Sequence, residues 1–212
     1  GHPMSRMLFT FLMCSERSGS NLITSLLGGH SAVCAPPPSH LFRLFGSNAG
    51  NYGDLERDEN WEILLADVIE AFENQLGDWN TRPTVDFLRA NARARTAAEP
   101  LRLIYEQEAR QQGAAQVFVK ENHTAAFADF LIAHFTPCRF VWMVRDPRDV
   151  AASYLNTDGI PGGVAKAAEV WKRDQEMNFR LYEPLQTAGL GHFLRYEDLI
   201  AQPAEQLARV AG

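Results

Sequence analysis

Cysteine and long apolar runs are both scarce in this sequence of 212 residues. The three cysteines, Cys14, Cys34 and Cys138, lie far apart in apolar surroundings, which indicates reduced, buried thiols rather than a disulfide or a zinc site. No apolar stretch is long enough to cross a membrane, and no secretory signal is visible. We therefore expect a cytoplasmic protein without a membrane span.

Positive charge is also in short supply, because 20 lysines and arginines stand against 26 aspartates and glutamates, which gives a net charge of −6. An acidic chain does not attract nucleic acid over its whole surface, so we expect no nucleic-acid partner, and any anion must bind in a local basic pocket. The length and the 46% hydrophobic content suit one domain with a substantial core. We expect that domain at residues 8–212, after a tag-like tail at residues 1–7.

What the sequence does contain, between residues 8 and 29, is a strand, a polar turn and a helix. Residues 8–13 (LFTFLM) form an apolar run typical of a central strand in a parallel sheet, since both faces of such a strand are buried. Apolar residues at helical spacing follow from Leu22, and Gly28–Gly29 end the predicted helix. Between strand and helix lies a turn of mostly small and polar residues, 15–21 (SERSGSN).

That turn has the chemistry of an anion site. A helix start leaves amide groups unpaired, and Gly19 would let the backbone approach a phosphate. Ser18, Ser20 and Asn21 can donate hydrogen bonds, and Arg17 adds a permanent positive charge. An ordinary turn in which Ser20 or Asn21 caps the helix is the alternative. The turn lacks the spacing and the lysine of a Walker A loop, which argues against an ordinary ATP- or GTP-dependent kinase.

Strand and helix patterns alternate along the rest of the chain. Short strands are predicted at residues 31–35, 116–120, 139–144 and 192–195. The predicted helices between them cover residues 61–76, 84–94, 98–112, 124–134 and 162–185. This alternation indicates an α/β fold with a mainly parallel central sheet.

The region from about residue 46 to residue 113 is predicted to be mostly helical. Its first part, residues 46–60, is rich in Gly, Asn and Asp and predicts a mobile surface loop, either a lid over a substrate or a plain connection. The rest is locally basic, which usually marks a solvated face. Alternatively, an acidic substrate or carrier protein would dock on its arginines: Arg82, Arg89, Arg93, Arg95 and Arg102.

A second turn from strand to helix follows the predicted strand RFVWMV. Asp146 can cap the next helix. Arg145 ends the strand and Ser153 comes eight residues later, about two helical turns on, so both can reach one phosphate group. The alternative is that Arg145 pairs with Asp149 and Ser153 is merely exposed. Because parallel strands end at a shared edge of the sheet, both turns are expected on one edge, which suggests a ligand with two separated phosphate-type groups.

Three motifs, in this order, resemble those of the sulfotransferases that use 3′-phosphoadenosine-5′-phosphosulfate (PAPS). Residues 15–22 (SERSGSNL) resemble the 5′-phosphosulfate loop, in the RSGS form common among bacterial members and tyrosylprotein sulfotransferases. Residues 144–153 (VRDPRDVAAS) resemble the 3′-phosphate motif, and residues 194–199 (LRYEDL), followed by Pro203, resemble a later segment. The resemblance implies a P-loop-NTPase-like three-layer fold, with a helical insertion on the acceptor side at residues 46–113.

The resemblance also implies roles for individual residues. Arg17 stands at the position of the catalytic cation of the loop, and Lys120 resembles the second lysine, near the transferring sulfonate. Leu22 stands where many members stack an aromatic on adenine; Trp171 would serve instead, or belong to the core. No metal is implied, and the nucleotide product is 3′,5′-diphosphoadenosine. The implied cofactor contacts are Arg17, Ser18, Gly19, Ser20, Asn21, Leu22, Arg145, Ser153 and Tyr196.

The expected reaction moves a sulfonate group in line from PAPS to a hydroxyl on a small-molecule or carrier-bound acceptor, so a base must take the hydroxyl proton. The resemblance offers His40 and His123 for this role, with Glu121 as a weaker third choice. Members usually continue past the position of Gly212, so we expect a chain truncated at its C-terminus. Two other functions stay open: an atypical nucleotide-dependent phosphotransferase and a non-catalytic nucleotide-binding domain of a larger assembly.

Overall fold

The structure, a computed structural model, describes residues 6–15, 19–75, 77–155 and 163–212. Its strands are β1 (Leu8–Met13), β2 (Val33–Cys34), β3 (Gln116–Val119), β4 (Cys138–Val144) and β5 (Gly191–Arg195). Its helices are α1 (Ser20–Gly28), α2 (Leu41–Gly46), α3 (Asp58–Glu73), α4 (Val85–Asn91), α5 (Ala98–Gln112), α6 (Ala128–Phe135), α7 (Pro147–Leu155), α8 (Gly163–Thr187), α9 (Tyr196–Ala201) and α10 (Pro203–Ala211). Two 3₁₀ turns lie at Ala49–Tyr52 and Thr124–Phe127.

The strands form one parallel sheet in the order β2-β3-β1-β4-β5, so β1 lies at its centre. Phe11 of β1 is paired with Val119 of β3 on one side and with Phe140 of β4 on the other. The side chains from Phe9 to Met13 are buried on both faces, which explains the apolar run in the sequence. The carboxyl ends of β1, β3 and β4 therefore meet at one edge of the sheet.

Helices cover both faces of the sheet. On one face α1, α9 and α10 pack against the strands through residues such as Ile23, Leu199 and Val210. On the other face α2 to α6 and α8 enclose a larger core around Phe9 and Phe11. The predicted three-layer α/β architecture is thus confirmed. Among the helices that the structure describes, none is long and apolar enough to cross a membrane.

Two local predictions were wrong. Residues 46–60 are not a plain loop: they contain a 3₁₀ turn and the start of α3, and the Tyr52 hydroxyl donates to Asp67 at 2.7 Å. Thr124 does not cap a helix that runs through residue 134. It begins a 3₁₀ turn, and its buried hydroxyl donates to the Leu12 carbonyl at 2.8 Å, so α6 begins only at Ala128.

Of the five arginines predicted to form a basic face, three are buried or paired with carboxylates. Arg102 is 3% exposed and donates to the His134 carbonyl at 2.6 Å, with its guanidinium 4.6 Å from the ring centre of Phe135. It therefore belongs to the core, where the carbonyl and the ring face offset the cost of burying its charge. Other arginines of this region are paired with carboxylates: Arg89 with Glu62 and Asp86, and Arg95 with Asp58.

Candidate functional site

A cleft of about 410 Å³ lies at the carboxyl edge of the sheet, the edge at which open α/β sheets bind ligands. We call it the sheet-edge cleft. It brings together residues from four separate segments of the chain: Gly19, Ser20, Asn21, Pro38, Lys120, Asn122, Arg145 and Ser153. Six of these were predicted as site residues from the sequence. The predicted residues Arg17 and Ser18, with neighbouring Glu16, lie outside the described residues.

Gly19 is the residue at which the chain enters α1. Its φ of 91° is left-handed, a conformation that glycine adopts without a steric penalty, and its carbonyl accepts the amides of Leu22 and Ile23 to begin the helix. The ring of Tyr196 lies where a side chain on Gly19 would stand. The same ring lies 4.5 Å from the guanidinium carbon of Arg145. The Tyr196 ring therefore contacts both Gly19 and Arg145, which line the cleft, although Tyr196 itself is not among the described residues of its lining.

Lys120 reaches into the sheet-edge cleft from the end of β3. Its ammonium donates a hydrogen bond to the Asn21 side-chain carbonyl, which links β3 to the first turn of α1. Burial lowers the pKa of Lys120, and the electrostatic interaction with nearby Cys14 opposes that shift. Cys14 is half-buried, unlike Cys34 and Cys138, which are buried as predicted. A cation thus stands between the β1–α1 turn and the β3 end.

Arg145 and Ser153 enter the cleft from the end of β4 and from α7. Asp146 caps α7, because its carboxylate accepts the Arg148 amide at 2.8 Å, and the Asp146 amide donates to Glu197 at 2.8 Å. The hydrogen bonds from Arg148 lower the pKa of Asp146 to about 2, so this half-buried cap stays charged at neutral pH. The eight-residue spacing does place both predicted side chains in one cleft.

A second cavity, of about 770 Å³, lies between α2 and α3, and we call it the α2–α3 groove. Pro38 lines the sheet-edge cleft, whereas Ser39 and His40 line the groove, so the two cavities adjoin across one tripeptide. The groove carries charges of both signs and hydrogen-bonding groups beside apolar ones. It is lined by Ser39, His40, Arg43, Leu44, Phe45, Asn48, Asn51, Tyr52, Asp67, Glu70, Ala71, Asn74 and Gln75.

The two candidate histidines share a backbone conformation but not an environment. Both have a φ of 61°, which is uncommon for a residue with a side chain. His40 is half-buried in the groove, and burial, aided by the charge of Arg43, lowers its pKa below 6.5. His123 is exposed and is not among the described residues that line either cavity. The geometry therefore brings His40, but not His123, to the boundary of the two cavities.

Two predicted contacts lie outside the sheet-edge cleft. Leu22 is half-buried and packs into the smaller core beneath α1. Tyr196 lies behind Gly19, as described above. Trp171, the alternative stacking residue, packs with Val150 and Ala167 between α7 and α8. None of these three is among the described residues that line the cleft.

Sequence reasoning missed several contacts around the site. Pro38 and Asn122 line the cleft, and their only signal was adjacency to His40 and Lys120. At the start of the β1–α1 turn, the buried Ser15 hydroxyl donates to Asp174 of α8 at 2.8 Å. That bond joins residues 159 positions apart, so no local pattern could have predicted it.

Replacing Gly19 with alanine is expected to destabilise the protein more than the same change at Gly113. Gly113 is also left-handed, with a φ of 76°, but has open space around it, so Gly113→Ala measures the backbone strain alone, about 1–2 kcal/mol. At Gly19 the new methyl group also collides with Tyr196, which adds about 1–3 kcal/mol. Urea denaturation of both variants checks this. Equal losses of unfolding free energy would contradict the Tyr196 contact, and Tyr196→Ala should remove the excess.

Comparisons with known proteins bear on the family and the fold of this chain. A sequence model of the sulfotransferase family matches residues 10–212. A search of curated proteins finds no match. Solved structures that share the fold include three sulfotransferases. The sulfotransferase domain from the Synechococcus PCC 7002 olefin synthase is 22% identical, with a TM-score of 0.62 over 99% of this chain and 74% of that chain.

The other two are more distant in sequence. The sulfotransferase domain from the curacin biosynthetic pathway is 18% identical, with a TM-score of 0.61 over 98% of this chain and 73% of that one. The sulfotransferase STF1 from Mycobacterium tuberculosis H37Rv is 16% identical, with a TM-score of 0.53 over 97% and 67%. These likenesses confirm the predicted P-loop-NTPase-like fold. Because the family model matches nearly the whole chain, this protein belongs to the sulfotransferase family.

Proposed function

We propose that this protein transfers a sulfonate group from PAPS to the hydroxyl of an acceptor molecule. The observation that carries the proposal is the convergence of Lys120, Arg145, Ser153 and the start of α1 on one cleft that adjoins a second cavity. A donor with two separated phosphate groups matches the first cavity. An acceptor in the second would meet the sulfonate at their boundary.

In the sheet-edge cleft, the chain supplies hydrogen-bond donors and cations at two places. Asn21, Ser20 and the first amides of α1 would bind the 5′-phosphate, as helix starts bind anions. Arg145 and Ser153 would bind the 3′-phosphate. Lys120 would stabilise the charge that develops on the oxygen between sulfur and the 5′-phosphate. Arg17 and Ser18, predicted to share this task, stay predictions because they lie outside the described residues.

In the α2–α3 groove, His40 would act as the general base. Its Nδ1 is buried without a hydrogen-bond partner among the described residues, so Nε2 is the nitrogen available to an acceptor. Because burial and Arg43 favour the neutral imidazole, His40 can take a proton at neutral pH. The acceptor oxygen then attacks sulfur in line, the bond from sulfur to the bridging oxygen breaks, and the nucleotide leaves as 3′,5′-diphosphoadenosine.

The acceptor belongs to the class of small-molecule or carrier-bound hydroxyl compounds. The groove's mixed lining of Arg43, Asp67, Glu70 and amide side chains suits a polar compound. Its volume of about 770 Å³ falls within the usual range of about 300–1,000 Å³ for ligand pockets.

The test is to incubate the protein with PAPS and a panel of hydroxyl compounds and to measure 3′,5′-diphosphoadenosine by chromatography. Calorimetric titration with 3′,5′-diphosphoadenosine, 5′-AMP and ATP runs beside it. We expect turnover, together with binding that needs the 3′-phosphate. Preference for ATP would favour a phosphotransferase, and binding without turnover on any acceptor would favour a non-catalytic nucleotide-binding domain.

A further inference from the structure

Glu121 is a buried carboxyl group that directly follows Lys120 and is only 5% exposed. Its oxygens accept the Ser39 hydroxyl at 3.0 Å, the Arg43 amide at 3.1 Å and the Phe42 amide at 3.4 Å. Burial raises its pKa to about 7, although these hydrogen bonds oppose the shift. All these donors lie in the segment that begins α2. The carboxyl group therefore binds this segment to the end of β3.

The hydrogen bond between Ser39 and Glu121 joins two short segments of the same design: in each, a buried residue lies between two residues that line a cavity. Pro38 and His40 flank Ser39, and they line the sheet-edge cleft and the α2–α3 groove. Lys120 and Asn122 flank Glu121, and both line the cleft. The buried hydrogen bond between Ser39 and Glu121 thus fixes the position of His40 relative to Lys120. Glu121 itself is not among the described residues that line either cavity, so it is poorly placed to take a proton from an acceptor.

The protons in this cluster can be assigned. The Ser39 hydroxyl has one hydrogen, and when it donates that hydrogen to Glu121 its oxygen is left to accept. The Leu41 amide donates to it at 3.2 Å, and the Tyr105 hydroxyl lies 2.9 Å away as the second donor. Tyr105 is 1% exposed and belongs to α5. The cluster therefore anchors the start of α2 to both β3 and α5.

His40 depends on this anchor for its conformation. Its backbone is left-handed, with a φ of 61°, a conformation that is unfavourable for a residue with a side chain and that contacts of the neighbouring residues must offset. The residues on both sides are held: Ser39 by Glu121, and Leu41 by Ser39. The two following amides are held by Glu121 as well. Release of Glu121 would free the segment that directs the imidazole.

From these contacts we infer that Glu121 is a positioning residue for sulfonate transfer, which holds His40 in register with Lys120 without touching donor or acceptor. This inference rests on the proposed function, because it assigns Glu121 a part in the same reaction. Its effect should appear in kcat rather than in nucleotide binding. The residues that contact the nucleotide are carried by other segments, apart from Lys120.

Glu121→Gln tests the inference, because glutamine keeps the shape but cannot accept on both terminal atoms. We expect kcat to fall by about 10- to 100-fold, as a small misplacement of a reacting group does, while the Kd for 3′,5′-diphosphoadenosine changes by less than about threefold. The ring resonances of His40 in ¹H–¹⁵N NMR spectra should shift, and those of His123 should not. Ser39→Ala, which removes one of the three hydrogen bonds to Glu121 and keeps those from the Phe42 and Arg43 amides, should give a smaller fall in kcat.

Glu108→Gln is the matched control. Glu108 is another buried carboxylate, 3% exposed, and it accepts the amides of Asn80 and Thr81 at 2.9 Å, away from both cavities. Glu108→Gln should lower the melting temperature, as Glu121→Gln does, but it should leave kcat and the His40 resonances unchanged.

Three results would overturn the inference: equal kcat in Glu121→Gln and wild type, equal losses in Glu121→Gln and Glu108→Gln, or unshifted His40 resonances. If Glu121→Gln does not fold, Ser39→Ala decides by the same readings. Failure of the proposed function is distinct, because wild type would then show neither turnover nor 3′-phosphate-dependent binding. The His40 resonances would still decide whether Glu121 positions that histidine.

Discussion

Arg145→Ala is expected to weaken the binding of 3′,5′-diphosphoadenosine by about 100-fold. A hydrogen bond to a charged group contributes about 1.5–3 kcal/mol, and each 1.4 kcal/mol is about tenfold in affinity. Arg145 ends β4, lines the sheet-edge cleft with Ser153 and lies against the Tyr196 ring. Because that ring already fixes the guanidinium, little conformational freedom is left to lose on binding, so the full contact should appear in the affinity.

The measurement is calorimetric titration with 3′,5′-diphosphoadenosine and with 5′-AMP. Only the first carries the 3′-phosphate, so the ratio of the two dissociation constants reports on that group alone. In Arg145→Ala the ratio should collapse towards one, while the affinity for 5′-AMP changes little.

Arg148→Ala is the control for charge. Arg148 has the same charge and lies three positions on, but its side chain is 89% exposed and paired with Asp146 at 2.7 Å. Its removal should leave the ratio unchanged. If both variants lose the same affinity, the effect is a general one of net charge, and Arg145 does not bind the 3′-phosphate.

The sequence predicted well those features that are encoded over a few neighbouring residues. The strands at residues 8–13 and 139–144 and the helix at residues 98–112 were expected from apolar spacing alone, and the structure has them within a residue. Arg145 and Ser153 share a cleft because eight residues are about two turns of helix, which is a property of the sequence interval.

The sequence could not predict contacts between distant segments. Ser39 and Glu121 are 82 positions apart, and their bond exists only because β3 and the start of α2 meet at one edge of the sheet. For the same reason the sequence could not decide between His40 and His123. Both follow strands, and the local pattern does not say which of them lines a cavity. Tyr196 fits its motif, yet its ring packs on Gly19, because only the tertiary fold brings these two residues together.

His40→Asn is expected to lower kcat by about 100- to 10,000-fold, the usual contribution of a positioned base. Asparagine is chosen because it tolerates the left-handed conformation of His40 better than alanine does. The affinity for 3′,5′-diphosphoadenosine should not change, since His40 lines the α2–α3 groove and not the sheet-edge cleft.

His123→Asn is the matched control for this change. His123 has the same φ of 61° and lies three positions after Lys120, but it is exposed. It should keep nearly all of the wild-type kcat. The opposite result, a large loss of kcat in His123→Asn and none in His40→Asn, would assign the general base to His123.

The pH dependence supplies a second test of the same base. A histidine can accept a proton only when its imidazole is neutral, so kcat/KM should be constant above the pKa of His40 and fall tenfold for each pH unit below it. Burial and the charge of Arg43 both lower that pKa, so the acid limb should lie below pH 6.5. Arg43→Gln removes the repulsion between two cations, which should raise the pKa of His40 and move the limb to higher pH. An acid limb that stays in place in Arg43→Gln, or one that survives in His40→Asn, would show that another group titrates and would remove His40 from the mechanism.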